Sequence, residues 1–461
     1  MPPRAFTAVA LLTAALAGTV AAQPAPGPAD TGPFFPTIQP PAPGFSAAPG
    51  PAPVTATPGG YPVGGPAAAY PPGVAYPGPG PALPTDSLGG AVGGTTDAFG
   101  PNCWVGVEYL FFRSKSGPLN TPLATASPAG GLALLGARGT QVVLGGQDFR
   151  FKDLSGVRVV AGGWFTDAQT VGIEANAFIL PEKHAIQGPV VATGDLPVLA
   201  RPFFDPTINR QNVRLLSSPG LFAGGIGADA SSQVWGAELA SVLRCWQRGC
   251  FTLDGLVGFK FLSLEESLQI NDFSNSLGGT VNFAGRSFLR PAATYTEDRI
   301  GTFNHFYGGL IGLRGSWHVQ AFTFSLTGKL GIGSTNETVT LDGSTSLVGP
   351  LPTPITAGGG FFATTNNPGR FTQSSFAVAP EGSFQFSAQI TRHVSVNAGY
   401  TFIYLSRVVR PGDQLPTTIP PNQIVTSPTF GSAFRTGQLP VTMNQTDFFT
   451  HGLNIGFSYG F

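Results

Sequence analysis

The connections in this chain alternate strictly between short and long, and that constrains its fold more than any single motif does. About ten stretches of roughly 10 to 16 residues repeat with a period of two, which is a strand pattern. They run near 104–112, 155–164, 171–179, 234–246, 251–264, 303–314, 317–331, 374–390, 392–406 and 449–461. Links near 165–168, 247–250, 315–316 and 391 are short, whereas those covering 114–154, 181–233, 265–302, 332–373 and 407–448 are long. A soluble sandwich has no reason to gather its long loops at one end; an up-and-down membrane barrel does so, with short periplasmic turns and long external loops. Several strands also exceed the usual five or six residues of soluble sheets. The expectation is an all-β fold, an up-and-down antiparallel transmembrane β-barrel of about ten strands. A count of twelve stays open, because Leu221 to Gly227 and Val281 to Phe288 could each add a strand.

The last stretch shows the pattern most clearly. Phe449, Leu453, Ile455, Phe457, Tyr459 and Phe461 share one face, interrupted only by His451, while Thr450, Gly452, Asn454, Gly456, Ser458 and Gly460 share the other. Large apolar side chains would meet lipid and small polar ones the lumen, with the terminal rings at headgroup level. The strand before it and the opening strand, where Val105, Val107, Tyr109 and Phe111 repeat the pattern, are its expected neighbours. Pairing with both would leave no free edge.

Composition agrees. Charged residues make up 10 % of the 461, against about 25 % in soluble domains, so a wholly water-facing surface would be poorly solvated. The formal net charge is zero, which gives no reason to expect a nucleic-acid partner. Arg4 followed by the apolar run Ala5 to Ala17, with Val20-Ala21-Ala22 ahead of Gln23, reads as a signal peptide over 1–22. An N-terminal anchor is the rival reading, but the run falls short of the roughly 20 residues of a spanning helix. Residues 23–101 are rich in Pro, Gly and Ala, with Asp30 the sole charge up to Gly80. That composition reads as an extended or disordered linker, a tether making periplasmic or cell-wall contacts or, alternatively, a segment for Pro-binding partners. The barrel is expected over 102–461.

Glu108, Arg158, Glu174, Glu238 and Lys260 lie mid-strand on the inward face. They form either an ion-pair network that closes a narrow lumen or a charged constriction that selects solutes. A barrel of ten strands is near the size that side chains can fill. Cys245 and Cys250 flank a tight turn and could form a disulfide, although their opposite phases would then require a bulge or a twisted turn. Cys103 is left over, either unpaired or available to another chain. The five histidines show no metal spacing with Cys, Asp or Glu. Gly224-Gly225-Ile226-Gly227 lacks the helix context of a dinucleotide site, and no Gly-x-Ser-x-Gly elbow occurs. Catalytic residues, metal ligands and cofactors are therefore not expected.

Several strings resemble a planctomycete outer-membrane β-barrel family, the seventh of its set and formerly a domain of unknown function. They are Trp104 to Phe112, Ser155-Gly156-Val157-Arg158 leading to Gly162-Gly163-Trp164, Pro197 to Asp205, and Trp235-Gly236-Ala237-Glu238-Leu239. The resemblance covers about 102–461 and implies fold and location but no functional residue. The closing strand also resembles the C-terminal signal of Gram-negative outer-membrane barrels, which implies the barrel-assembly machinery as a partner beside outer-membrane lipid. Two functions follow. One is a pore or passive channel for small solutes. The other is a structural or surface-display barrel with a closed lumen, whose long loops mediate interactions. An enzymatic barrel ranks third, for want of a nucleophile and base.

Overall fold

A computed structural model describes residues 102–194, 197–432 and 443–461. The signal and linker expectations, over 1–22 and 23–101, lie outside the described residues. In chain order the first strands are β1 (Cys103–Ser114), β2 (Pro122–Ser127), β3 (Gln141–Gly145), β4 (Leu154–Trp164) and β5 (Val171–Ala192). Next come β6 (Val198–Asp205), β7 (Arg210–Ser217), β8 (Phe222–Arg248), β9 (Phe251–Ser276), β10 (Val281–Phe283) and β11 (Arg286–Phe288). The last are β12 (Ala293–Val319), β13 (Phe322–Val348), β14 (Ile355–Gly358), β15 (Gly369–Gln389), β16 (Val394–Val409) and β17 (Gln445–Gly460). Two short 3₁₀ turns, Pro411–Gln414 and Pro421–Gln423, are the helical elements among the described residues.

Eleven strands form one antiparallel sheet in the order β12-β9-β8-β5-β4-β1-β17-β16-β15-β13-β14, and β12 also pairs with β13. That last pairing is long, running from Ala293 opposite Val348 to Val319 opposite Phe322. Apart from the four-residue β14, each strand of the sheet therefore has a partner on both sides. β17 lies between β16 and β1, with Ile455 opposite both Ala398 and Tyr109. Its neighbours are the ones the alternating pattern calls for.

Leu221 to Gly227 is not an extra strand but largely the far end of β8, and Val281 to Phe288 holds the separate two-stranded hairpin β10-β11. The ten long strands stand as counted. Their lengths differ from expectation: β8, β9, β12 and β13 have 26 or 27 residues. At about 3.3 Å per residue they approach 85 Å. Gly315-Ser316 is also not a turn. It sits inside β12, and the chain reverses after Val319, where Gln320 takes a left-handed φ of 54°. The long connections carry a second sheet of four strands, β3-β2-β6-β7.

Cys103, Cys245 and Cys250 are free, so the bridge considered between Cys245 and Cys250 is absent. The bulge that it needed is there, with the register shifting between Arg244 and Trp246. Cys250 instead accepts a hydrogen bond on Sγ from Trp317 Nε1 at 2.8 Å.

One face of the long strands is exposed and the other buried. The largest apolar cluster occupies the buried face toward the long-connection end, where Leu110, Phe112, Phe178, Leu262, Phe306 and Ile403 pack together. A smaller one, of Trp164, Val242 and Leu256 with Trp104 against it, lies toward the short-turn end.

Candidate functional site

Interleaved with those apolar clusters, the buried face also carries charge. β9 sets the spacing, with Asp254, Lys260, Glu266 and Asp272 on its buried face, all at most 5 % exposed. Six residues separate each from the next, about 20 Å along an extended strand. A charge taken out of water needs a partner or it costs several kcal/mol, and each of these four has one.

Lys260 Nζ lies 2.7 Å from Glu238 Oε1 and 2.5 Å from Glu381 Oε2, and Lys329 Nζ lies 2.5 Å from the other Glu238 oxygen. Glu238 faces Lys260 directly across β8 and β9, and Lys329 faces Glu381 across β13 and β15. The Lys260 to Glu381 contact is different in kind, because β12 and β13 lie between β9 and β15 in the sheet. Small residues give the lysine stem its path: a Cβ on Gly331 would stand 3.2 Å from Lys260 Cδ and 3.1 Å from the Phe306 ring. Glu174 on β5 likewise reaches past β8 and β9 to Arg314 on β12, with bonds of 2.9 and 2.5 Å. Asp254 accepts from Arg244 Nε at 2.6 Å.

Glu108 and Arg158 are cross-strand partners with a longer contact of 3.4 Å. Glu108 is better served by amides: Asn397 and Gln385 donate to Oε1 at 2.7 and 3.0 Å, and Asn454 donates to Oε2 at 3.0 Å. Arg158 also donates to Thr401 Oγ1 at 3.3 Å, while its Nε and Nη2 have no hydrogen-bond partner among the described residues. The five charges expected on the inward face are thus all buried or nearly so, but they fall into three groups. Arg314, Lys329 and Glu381 complete those groups and were not among the candidates. Their signal was available, since Lys329 and Glu381 keep the phase of their strands. The supposed turn at Gly315-Ser316 hid Arg314 by placing it at a strand end.

Toward the long connections the partners come from loops. Arg410, fully buried, makes a two-pronged pair with Glu266 at 2.8 and 2.6 Å and donates to the Ser116 carbonyl at 2.6 Å. Burial would lower the Arg410 guanidinium, but the Glu266 charge and hydrogen bonds outweigh it and raise its pKa above the ordinary value. Arg201 of β6 is also fully buried and donates from Nη1 to Asp272 and Asp298 at 2.7 and 3.1 Å. Its guanidinium lies 4.1 Å from the centre of the Phe361 ring. Asp298 Oδ1 in turn accepts the backbone N–H groups of Phe361, Phe362 and Ala363. Three separate connections are therefore tied to the buried face by charge.

A cavity of about 620 Å³ opens beside this network, lined by Phe203, Asp205, Arg214, Ser274 and Val281 among others. Burial lowers the pKa of the Arg214 guanidinium, with the neighbouring Asp272 charge acting against that shift. No group of His, Cys, Asp and Glu able to hold a metal ion occurs among the described residues.

The exposed face changes character along the same strands. On β9 the exposed-phase residues from Phe251 to Phe261 are apolar apart from Gly255, and those from Ser263 to Asn271 are polar. On β13 the apolar run ends at Ile332 and polar residues begin at Ser334, while β12, running the opposite way, is apolar from Tyr307 to Val319 apart from glycines. Rings mark both limits. Phe261 packs against Trp235 and Tyr307 with centroids 4.6 and 5.0 Å apart. At the short-turn limit Trp246 meets Phe251 at 5.5 Å and Phe322 meets Phe386 at 5.5 Å. The closing-strand residues Leu453, Ile455, Phe457, Tyr459 and Phe461 are all exposed on this face, and Phe449 is half-buried.

The profile of the family described as "Putative beta barrel porin-7" matches residues 104–461. The chain belongs to this family. It is accordingly an outer-membrane protein of the β-barrel porin type, as the resemblance over about 102–461 implied. No curated protein matches it. Among solved structures, the outer membrane protease OmpT from Escherichia coli aligns with 9 % identity and a TM-score of 0.30, over 78 % of this chain and 97 % of that one. A FadL homologue from Pseudomonas aeruginosa aligns with 6 % identity and a TM-score of 0.21, over 79 % and 92 %. The toluene transporter TodX of P. putida gives 7 % and 0.16, over 79 % and 91 %. Likeness at this level carries no argument about function.

The two kinds of buried arginine are expected to differ on substitution. Arg410→Met strands Glu266 and should cost about 3–5 kcal/mol. Arg158→Met leaves Glu108 its three amide donors and should cost less, about 1–2 kcal/mol. Urea unfolding of the two variants in detergent micelles checks both the direction and the order.

Proposed function

We propose that the ten long strands form a closed transmembrane barrel, sealed where β12 meets β13, and that its lumen is filled rather than conducting. The work of the protein is then done by the long connections at the cell surface. The observation that carries this reading is the Lys260 to Glu381 pair, 2.5 Å long with Lys260 fully buried, which joins strands that are not neighbours. Two such side chains meet only if the sheet curves tightly around them. A narrow barrel filled at this level leaves no continuous water path.

The apolar band supports the membrane placement. From Phe251 to Phe261 it is eleven residues long, matching the roughly 9 to 11 residues of a tilted membrane strand. Aromatic rings at both limits suit the two headgroup regions. The short-turn end then faces the periplasm, with the linker of 23–101 as a tether there and the signal peptide of 1–22 removed. Closing-strand residues Phe449 to Phe461 contact lipid and present the chain to the assembly machinery. Beyond the band, the strands continue into the external space as a wall that carries the second sheet.

The pore reading is the competing outcome. In planar bilayers the purified protein should give no conductance above background, and regular current steps would overturn the filled lumen. The band has its own check. Val257→Arg, at mid-band, should destabilise the membrane-inserted protein by about 2–4 kcal/mol. Ser267→Arg, on the same face of β9 but above the band, should be near neutral. Unfolding in lipid vesicles compares the two.

A further inference from the structure

We propose that the external cavity of about 620 Å³ binds a neutral, polyhydroxylated small molecule, a short soluble oligosaccharide. Its lining suits such a ligand. Eleven of its twenty-two lining residues carry a hydroxyl or a carboxamide, contributed by the β6-β7 hairpin, β9, the β10-β11 region, β12 and the 421–432 segment. Such groups both donate and accept, which is what a ligand with many hydroxyls requires. The other walls are apolar, with the rings of Phe203 and Phe222 among them and Val281, Ile424, Pro421 and Pro428 beside them. Sugar rings present apolar C–H faces between their hydroxyls, so such walls complement them. The volume falls within the usual range of about 300–1,000 Å³ for small-molecule sites.

Charge selects against ions. Two lining residues are charged, Asp205 and Arg214, and both are already engaged. Asp205 accepts on Oδ1 from the Thr207 backbone N–H at 2.9 Å and from its hydroxyl at 2.6 Å, and on Oδ2 from Asn212 Nδ2 at 3.0 Å. Arg214 Nη1 lies 2.8 Å from Asp272. An anionic ligand would compete with Asp272 and a cationic one with the donors on Asp205. A fatty chain would leave the hydroxyls of Thr280 and Thr294 on the cavity wall desolvated with nothing to bond, which is unfavourable. Two lining side chains, moreover, hold buried polar atoms with no hydrogen-bond partner among the described residues, Arg214 Nη2 and Thr426 Oγ1.

The position indicates the source. Ser274 lies thirteen residues beyond Phe261, the upper limit of the apolar band on β9, which is about 40 Å along the strand. A lipid-linked headgroup would not reach so far from the bilayer, so the ligand comes from solution; this step rests on the membrane placement proposed above.

Isothermal titration of the full chain in detergent micelles with maltose, cellobiose and chitobiose tests the proposal. At least one should bind at micromolar to millimolar concentration. Thr280 is exposed at the cavity wall, so Thr280→Trp should fill the site and weaken binding at least about tenfold, while Thr280→Ser should retain it. Unchanged circular dichroism of both variants keeps folding out of the comparison. Failure of all three glycans to bind would overturn the proposal, as would binding that survives Thr280→Trp. Binding of octanoate or glucose 6-phosphate in their place would overturn it equally. Quenching of Trp246 and Trp317 by brominated lipid tests the membrane placement separately, so the two failures give different readouts.

Discussion

Buried charge is the constraint on which the rest of this structure depends. β9 places Asp254, Lys260, Glu266 and Asp272 on a face shielded from water, and each must be neutralised by a group that can reach it. For Asp254 the partner is the facing strand. Lys260 needs a second carboxylate from β15, beyond the two intervening strands β12 and β13, and Glu266 and Asp272 need arginines from long connections. The curvature of the sheet and the folding-in of its loops are thus consequences of one repeated requirement. A sheet that flattened would strand Lys260 from Glu381, and a loop that lifted away would leave Glu266 or Asp272 alone in an apolar interior.

The interior is layered accordingly. Charged groups alternate with apolar packing along the strands, and the apolar layers keep water from the ion pairs. Glycines are part of the same design where a side chain must cross the sheet, as Lys260 does over Gly331. Outside, the face beside the charged groups of Lys260 and Glu174 is apolar, while the face beside those of Glu266 and Asp272 is polar. Long strands let one continuous wall serve both environments.

Much of this was legible in the sequence. The ten long strands, the neighbours of β17 and the burial of Glu108, Arg158, Glu174, Glu238 and Lys260 follow from a period of two and from the alternation of connection lengths. What stayed hidden has a physical cause. Along β9 the apolar residues change phase near Phe261: below it all but Leu256 lie on the exposed face, and above it Leu262, Leu264, Leu268 and Ile270 lie on the buried one. A pattern followed with fixed polarity ends there, at about half the length of the longest strands. The glycine and serine at 315–316 imitated a turn because local composition says nothing of a ladder continuing on both sides. Arg201 and Arg410 were beyond reach for another reason. Their partners Asp272 and Glu266 are 71 and 144 residues away, and no local pattern links them. The nearness of Cys245 and Cys250 in sequence suggested a bridge; the bulge between Arg244 and Trp246 is present, yet both thiols are free.

The filled interior depends above all on the contact of Lys260 with Glu381 across the sheet. A double-mutant cycle with Lys260→Met, Glu381→Gln and the pair together, read by unfolding in lipid vesicles, measures that contact directly. Residues in one ion-pair network should show a coupling energy of about 1–3 kcal/mol, and that is the predicted result. Additivity within about 0.5 kcal/mol would mean that the two side chains do not touch, and would contradict the filled interior.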